Sequence, residues 1–138
     1  MQFKIDTKER FQVVTILESF LSATMAEELS NQLRSYLQNG GQEELTQSSP
    51  STNLVLVLQE VTGMEKEAAE KLAELQQEFY DHNASFVICH LQPAVENQLD
   101  ELGLLEVMNI TPTESEAWDI VQMEEIEREL LGDEPDHS

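Results

Sequence analysis

Between Asn53 and Asn83 the hydrophobic period of the chain changes, and that change limits what the chain can fold into. Asn53-Leu-Val-Leu-Val-Leu58 is an unbroken apolar run, too short for a helix and β-branched enough for a strand buried on both faces. After Gln59-Glu-Val-Thr-Gly63 the apolar residues Ala68, Leu72, Leu75 and Phe79 recur at helical spacing, with Glu65, Lys66, Glu67, Glu70, Lys71 and Glu74 between them. Ala84-Ser-Phe-Val-Ile-Cys89 then begins a second apolar run. A buried strand, a helix and another buried strand make a parallel pair with a crossover. The turn at Val61–Glu67 therefore lies at a strand's carboxyl end, where open α/β sheets place their sites.

The remaining segments can be hung on this unit. Gln2–Asp6 alternates like a half-exposed strand, and Phe11–Leu17 is more continuously apolar. Thr7–Arg10 between them predicts a hairpin turn. Thr24-Met-Ala-Glu27 fits a capping box for a helix with the stripe Met25, Leu29, Leu33, Tyr36 and Leu37, and Gly40-Gly41 is the expected stop. Residues 39–52 are polar and contain Pro50, so they are expected to be a mobile surface insertion. Pro93 suits a first helical turn; Val95, Leu99 and Leu102 form its stripe, and Gly103 ends it. A last short strand falls within Leu104–Ile110, and Thr113-Glu-Ser-Glu116 is a second capping box.

The terminal helix is irregular. Ala117, Ile120 and Val121, flanked by Trp118, share one side, whereas Met123, Ile126 and Leu130 project roughly 140–180° away. The first group is expected to cover the sheet. The second, on an extended terminal helix with an acidic tail at 123–138, is expected to meet a homodimer partner, with a bent helix that stays on its own domain as the competing expectation.

Charge and motif inventory exclude much. With 28 acidic and 7 basic residues the formal net charge is −21, which repels phosphate backbones and anionic membrane surfaces, so neither nucleic acid nor membrane is an expected partner. The only cysteine, Cys89, sits within an apolar run and is expected to be a buried, inert thiol. No basic-then-apolar leader is read, and no apolar run approaches the ~20 residues that span a bilayer, so the expectation is a cytoplasmic, single-domain protein over 1–138. Gly40-Gly41 and Gly63 lack the spacing of a phosphate loop. His82, His90 and His137 are dispersed, and Cys89 and His90 point to opposite faces of a strand. No catalytic site, metal site or cofactor is expected.

Read from the residues alone, Thr62-Gly-Met-Glu65 is a possible cap, and Glu65, Glu67 and Glu70 lie near the positive end of a helix dipole. The element order and the stretch Leu54-Val-Leu-Val-Leu-Gln-Glu-Val-Thr-Gly-Met-Glu-Lys-Glu-Ala-Ala-Glu-Lys-Leu72 resemble the STAS domain of bacterial anti-sigma factor antagonists, as does Pro112–Ala117. That resemblance covers residues 2–122. It implies an α/β fold with a mixed sheet of about five strands flanked by about four helices, and a non-enzymatic module that binds a protein partner, an anti-sigma factor of serine-kinase type. In the family the kinase phosphorylates the second serine of an Asp-Ser-Ser-Gly turn, and the added charge releases the complex. Carried across, the aspartate falls on Glu65, the first serine on Lys66, the phosphorylated serine on Glu67 and the glycine on Ala68. An acidic residue common at the first helix start falls on Leu21. The implied partner surface is Thr62, Gly63, Met64, Glu65, Lys66, Glu67, Glu70 and Lys71, with Glu67 in the phosphosite-equivalent position. A structural homodimer built through the terminal helix is the alternative.

Overall fold

In a computed structural model of the chain the described residues are 2–8, 11–42 and 53–133. Five strands form a mixed sheet in the order β1(Phe3–Thr7), β2(Gln12–Ile16), β4(Leu54–Val57), β6(Phe86–Cys89), β7(Ile110–Thr111). Strands β1 and β2 are the expected antiparallel hairpin, with Ile5 opposite Val14; every other pairing in this sheet is parallel. The helices are α1(Ala23–Gln42), α2(Lys66–Asp81), α3(Pro93–Glu101) and α4(Glu114–Asp133).

The side-chain period of two divides the core. Val14, Ile16, Leu54, Leu56, Phe86 and Ile88 face α1, α2 and α3, where they meet Leu29, Leu33, Leu72, Leu75, Phe79, Val95 and Leu99. Val13, Val55, Val57, Val87 and Cys89 face the opposite way, onto Ala117 and Val121 of α4. Each fully buried Val, Leu, Ile or Phe contributes about 1.5–3 kcal/mol. Phe79 and Phe86 add an edge-to-face contact, with ring centroids 5.2 Å apart. Pro93 occupies the first turn of α3, and Gly103 follows that helix at φ 73°. Asn83, at φ 61°, supplies the left-handed stop after α2.

Several boundaries differ from the expectations. Helix α1 is capped by Ser22, not Thr24: the Ser22 hydroxyl accepts the Met25 N–H at 3.2 Å. Gly40-Gly41 does not end that helix, which continues to Gln42; the rest of the 39–52 segment, residues 43–52, lies outside the described residues. Tyr36, Leu37 and Leu130 likewise lie outside the residues whose side chains are described. A second, two-stranded sheet was not foreseen: β3(Phe20–Leu21) pairs in parallel with β5(Gly63–Met64).

Helix α4 keeps its two apolar stripes on different sides. Its sheet-facing side continues past Val121 as Glu124 and Glu125, and these carboxylates accept hydrogen bonds from the domain itself. Glu124 receives the Tyr80 hydroxyl at 2.8 Å and the Ser85 hydroxyl; Glu125 receives the Asn53 amide at 2.6 Å. The inner face thus changes from apolar to acidic while the apolar residues Met123 and Ile126 rotate outward, 60% and 52% exposed.

Candidate functional site

The turn between β4 and α2 is held by hydrogen bonds from three directions. From the β4–β6 side, the Leu58 N–H donates to the Cys89 carbonyl at 3.2 Å, and the Gln92 amide donates to the Gln59 carbonyl at 2.6 Å. From the segment after β2, the Ser19 carbonyl accepts both the Thr62 N–H at 2.8 Å and the Thr62 hydroxyl at 3.0 Å. From α3, Gln98 satisfies both backbone groups of Met64: its oxygen accepts the Met64 N–H at 3.3 Å and its amide donates to the Met64 carbonyl. Gln98 therefore acts as a one-residue neighbouring strand beside β5.

Glu65 does not cap its own helix. It occupies the residue before α2 with extended backbone (φ −74°, ψ 154°) and makes no side-chain bond to that helix. Its N–H donates to the Leu21 carbonyl at 2.9 Å, and its carboxylate accepts the Ala23 N–H at 2.7 Å. The carboxylate thus sits at the positive end of α1 and ties the starts of two helices together. Thr62, for its part, spends its hydroxyl on Ser19 rather than on a cap.

The expected surface is only partly a surface. Thr62, Glu65, Lys66, Glu67 and Glu70 are exposed, whereas Gly63 and Lys71 are half-buried, with the Lys71 ammonium 3.8 Å from Glu74. Met64 is 2% exposed and belongs to the core. Leu21 is fully buried, so the position carried over from the family's acidic residue presents nothing to a partner. Glu67 stands in the first turn of α2, where a helix dipole favours a negative charge. Sequence reasoning missed Ser19, Gln92 and Gln98, whose role comes from tertiary placement and leaves no periodic signal.

Away from the turn, burial first and Glu114 second push the Cys89 thiol up to about 12, which keeps it protonated and unreactive at neutral pH. Among the described residues no three His, Cys, Asp or Glu side chains are placed to hold a metal ion, and no helix is long and apolar enough to cross a membrane. A cleft of about 540 Å³ is lined by Lys8, Phe11, Glu114, Ser115, Trp118 and Asp119. A smaller one, about 280 Å³, is lined by Leu91, Glu96, Ile110, Thr111 and Pro112. Neither reaches the turn.

Residues 2–117 match the family model for the STAS domain. The chain belongs to the STAS domain family. This STAS domain is similar in fold to TM1081 of Thermotoga maritima, with a TM-score of 0.67 at 18% identity over 87% of this chain and 94% of that one. It is similar also to the anti-sigma factor antagonist SpoIIAA of Bacillus in its unphosphorylated form, with a TM-score of 0.66 at 15% identity over 88% and 96%. A serine-to-glutamate variant of RsbS from Moorella thermoacetica matches with a TM-score of 0.58 at 19% identity over 88% and 96%. A search of curated protein sequences finds no match. Among its described residues this STAS domain thus has the four helices and five-stranded mixed sheet of an antagonist-like fold.

Proposed function

We propose that this STAS domain is a non-enzymatic protein–protein interaction module of anti-sigma factor antagonist type, in which Glu67 stands in place of a phosphorylatable serine. The observation that carries this reading is the exposed Glu67 carboxylate in the first turn of α2, just past a turn fixed by Ser19, Gln92 and Gln98. A glutamate carries about −1 charge and two acceptor oxygens, against about −1.5 to −2 and three for phosphoserine. It therefore carries part of the added charge and cannot be switched; that charge releases the family's complex, so a partner of this chain must instead meet it with a cation. The partner is an anti-sigma factor of serine-kinase type with a cation facing position 67, and the protein works in the bacterial cytoplasm. Affinity capture with the wild-type chain and with Glu67→Ser and Glu67→Arg tests it. The Arg variant should weaken a captured partner more than about tenfold, since two units of charge are reversed. The Ser variant should become a kinase substrate. If neither change alters any partner, this surface is the wrong one.

A second reading is favoured by Met123 and Ile126, which leave an apolar stripe exposed on α4. It makes the protein a homodimer assembled through Met123, Ile126 and Leu130. With −21 on each chain, such a dimer should tighten as salt screens repulsion. Light scattering decides: a monomeric mass at both low and high salt removes this reading.

A further inference from the structure

Two apolar side chains stay exposed on the segment from the end of β2 to β3, whose Ser19 and Phe20 meet the turn, and neither belongs to the surface read from sequence. Leu17, immediately after β2, is 45% exposed, and Phe20 on β3 is 49% exposed. Phe20 is held in place rather than loose. Its strand pairs with Gly63–Met64, and two of its ring carbons lie 3.5 and 3.7 Å from where a side-chain carbon at position 63 would stand. The ring therefore lies across Gly63, and a pre-ordered aromatic loses little freedom when a partner closes over it.

Acidic residues neighbour these two in sequence and on the turn with which β3 pairs. Glu18 lies between Leu17 and Phe20 in sequence, with its carboxylate accepting the Gln2 N–H at 2.7 Å. Glu60 and Glu67 are exposed on the turn and on the helix that follows it, while Lys66 is the ammonium between them in sequence. With a chain-wide charge of −21, an identical surface on a second copy, an anionic membrane and a nucleic acid are all repelled.

We infer that Phe20, with Leu17 three residues before it, is the apolar anchor of the turn surface, and that the partner is a protein presenting an apolar recess bordered by lysine or arginine. This rests on the reading of the Thr62–Lys71 turn as the partner-binding surface and extends that surface across β3. Aromatic anchors at the centre of an interface, ringed by charge, carry a disproportionate share of affinity.

The test titrates isotope-labelled full-length protein with a synthetic amphipathic leucine–lysine peptide, followed by NMR. Two control peptides replace lysine by glutamate or leucine by serine. The leucine–lysine peptide should shift the amides of 17–20 and 60–67, and bind more weakly as salt rises from about 50 to about 300 mM. Phe20→Ser and the leucine-free peptide should each weaken binding at least about tenfold, and Phe20→Leu should recover part of the loss. Phe20 is half exposed and pairs through its backbone, and an unchanged urea midpoint for Phe20→Ser excludes unfolding as the cause. Absence of binding, shifts spread over the whole acidic surface or centred on Met123 and Ile126, or wild-type affinity in Phe20→Ser each overturns the inference. Glu67→Arg separates the two claims. If it weakens binding and Phe20→Ser does not, the anchor fails and the turn stands; the reverse leaves the anchor and removes Glu67.

Discussion

Replacing Glu65 by alanine removes the carboxylate that accepts the Ala23 N–H at 2.7 Å while leaving its own backbone bond to Leu21 intact. The two helices it touches should respond differently. Helix α2 receives no side-chain cap from Glu65 and should keep its first turn. Helix α1 loses a charge-assisted acceptor, one of the few ways its orphan N–H groups are satisfied. Losing a helix cap typically costs about 0.5–2 kcal/mol, and a carboxylate at the dipole's positive end contributes about 0.3–1 kcal/mol. Glu65 is exposed, and Ser22 still accepts the Met25 N–H, so the loss should lie near the lower half of that range, about 1 kcal/mol. For a chain of this size that is a fall in Tm of about 2–5 °C.

Glu65→Gln keeps an acceptor and loses the charge, so it should cost about half as much. Urea denaturation followed by far-UV circular dichroism gives the magnitudes. Amide exchange gives the location: the N–H of Ala23 should lose about fivefold in protection, the equivalent of that 1 kcal/mol, while α2 amides stay unchanged. A loss below about 0.3 kcal/mol for Glu65→Ala, or protection lost in α2 rather than α1, would show that the carboxylate does not tie the two helices together.

Phe79→Ala should cost about 3–5 kcal/mol in urea denaturation, because the ring is fully buried and packs edge-to-face on Phe86. Tyr80→Phe removes the donor to Glu124 and the acceptor for the Asn109 amide, and should cost about 1–2 kcal/mol, with amide exchange rising in the second half of α4. The Cys89 thiol, raised from its ordinary value near 9 to about 12, binds its proton more tightly in the folded chain than in the unfolded one. Stability should therefore be complete below pH 9 and fall between pH 9 and 12, by up to about 1.4 kcal/mol per pH unit from this group. Burial and then Glu124 shift the Tyr80 hydroxyl in the same direction, so denaturation curves of Cys89→Ala should retain part of the alkaline slope.

The parts of the fold visible in the sequence are those where many residues share one period. Leu54, Leu56 and Leu58 on one face, and Val55 and Val57 on the other, could only be a strand covered twice, and each is buried. Ala68, Leu72, Leu75 and Phe79 are all buried on α2, as their spacing required. Strands β3 and β5 are two residues each, too short to carry any period, and they form because Phe20–Leu21 and Gly63–Met64 are brought together by the larger sheet. Ser22 takes the α1 cap, and Gly40-Gly41 costs only about 1 kcal/mol per glycine within a helix, which did not end it. On α4 the apolar pattern changed face because Glu124 and Glu125 found donors in Tyr80, Ser85 and Asn53, a pairing across distant parts of the chain. The same holds at the site. The place of Glu67 in the first turn of α2 follows from the strand-to-helix order, but the bonds from Ser19, Gln92 and Gln98 exist only in three dimensions.

Those bonds also constrain how position 67 can act. A turn tied to the β2–β3 segment, to α3 and to the residues after β6 has little freedom to reorganise when one side chain in the next helical turn changes. A charge can shift a binding equilibrium only by its differential interaction with the partner, here a direct electrostatic one. One unit of charge about 4 Å from a cation is worth about 1 kcal/mol in water and more where the interface excludes it. On the proposed reading, glutamate in place of serine therefore alters affinity by about fivefold or more. The additional half to full unit that a phosphate would bring corresponds to roughly a further two- to fivefold step, forgone when the acceptor is absent. These steps are of the same order as the at least tenfold loss expected from removing the Phe20 ring, so anchor and charge act on one scale. An anchor supplying the affinity and a fixed charge setting its level would give a partner bound continuously, with its occupancy governed by concentration.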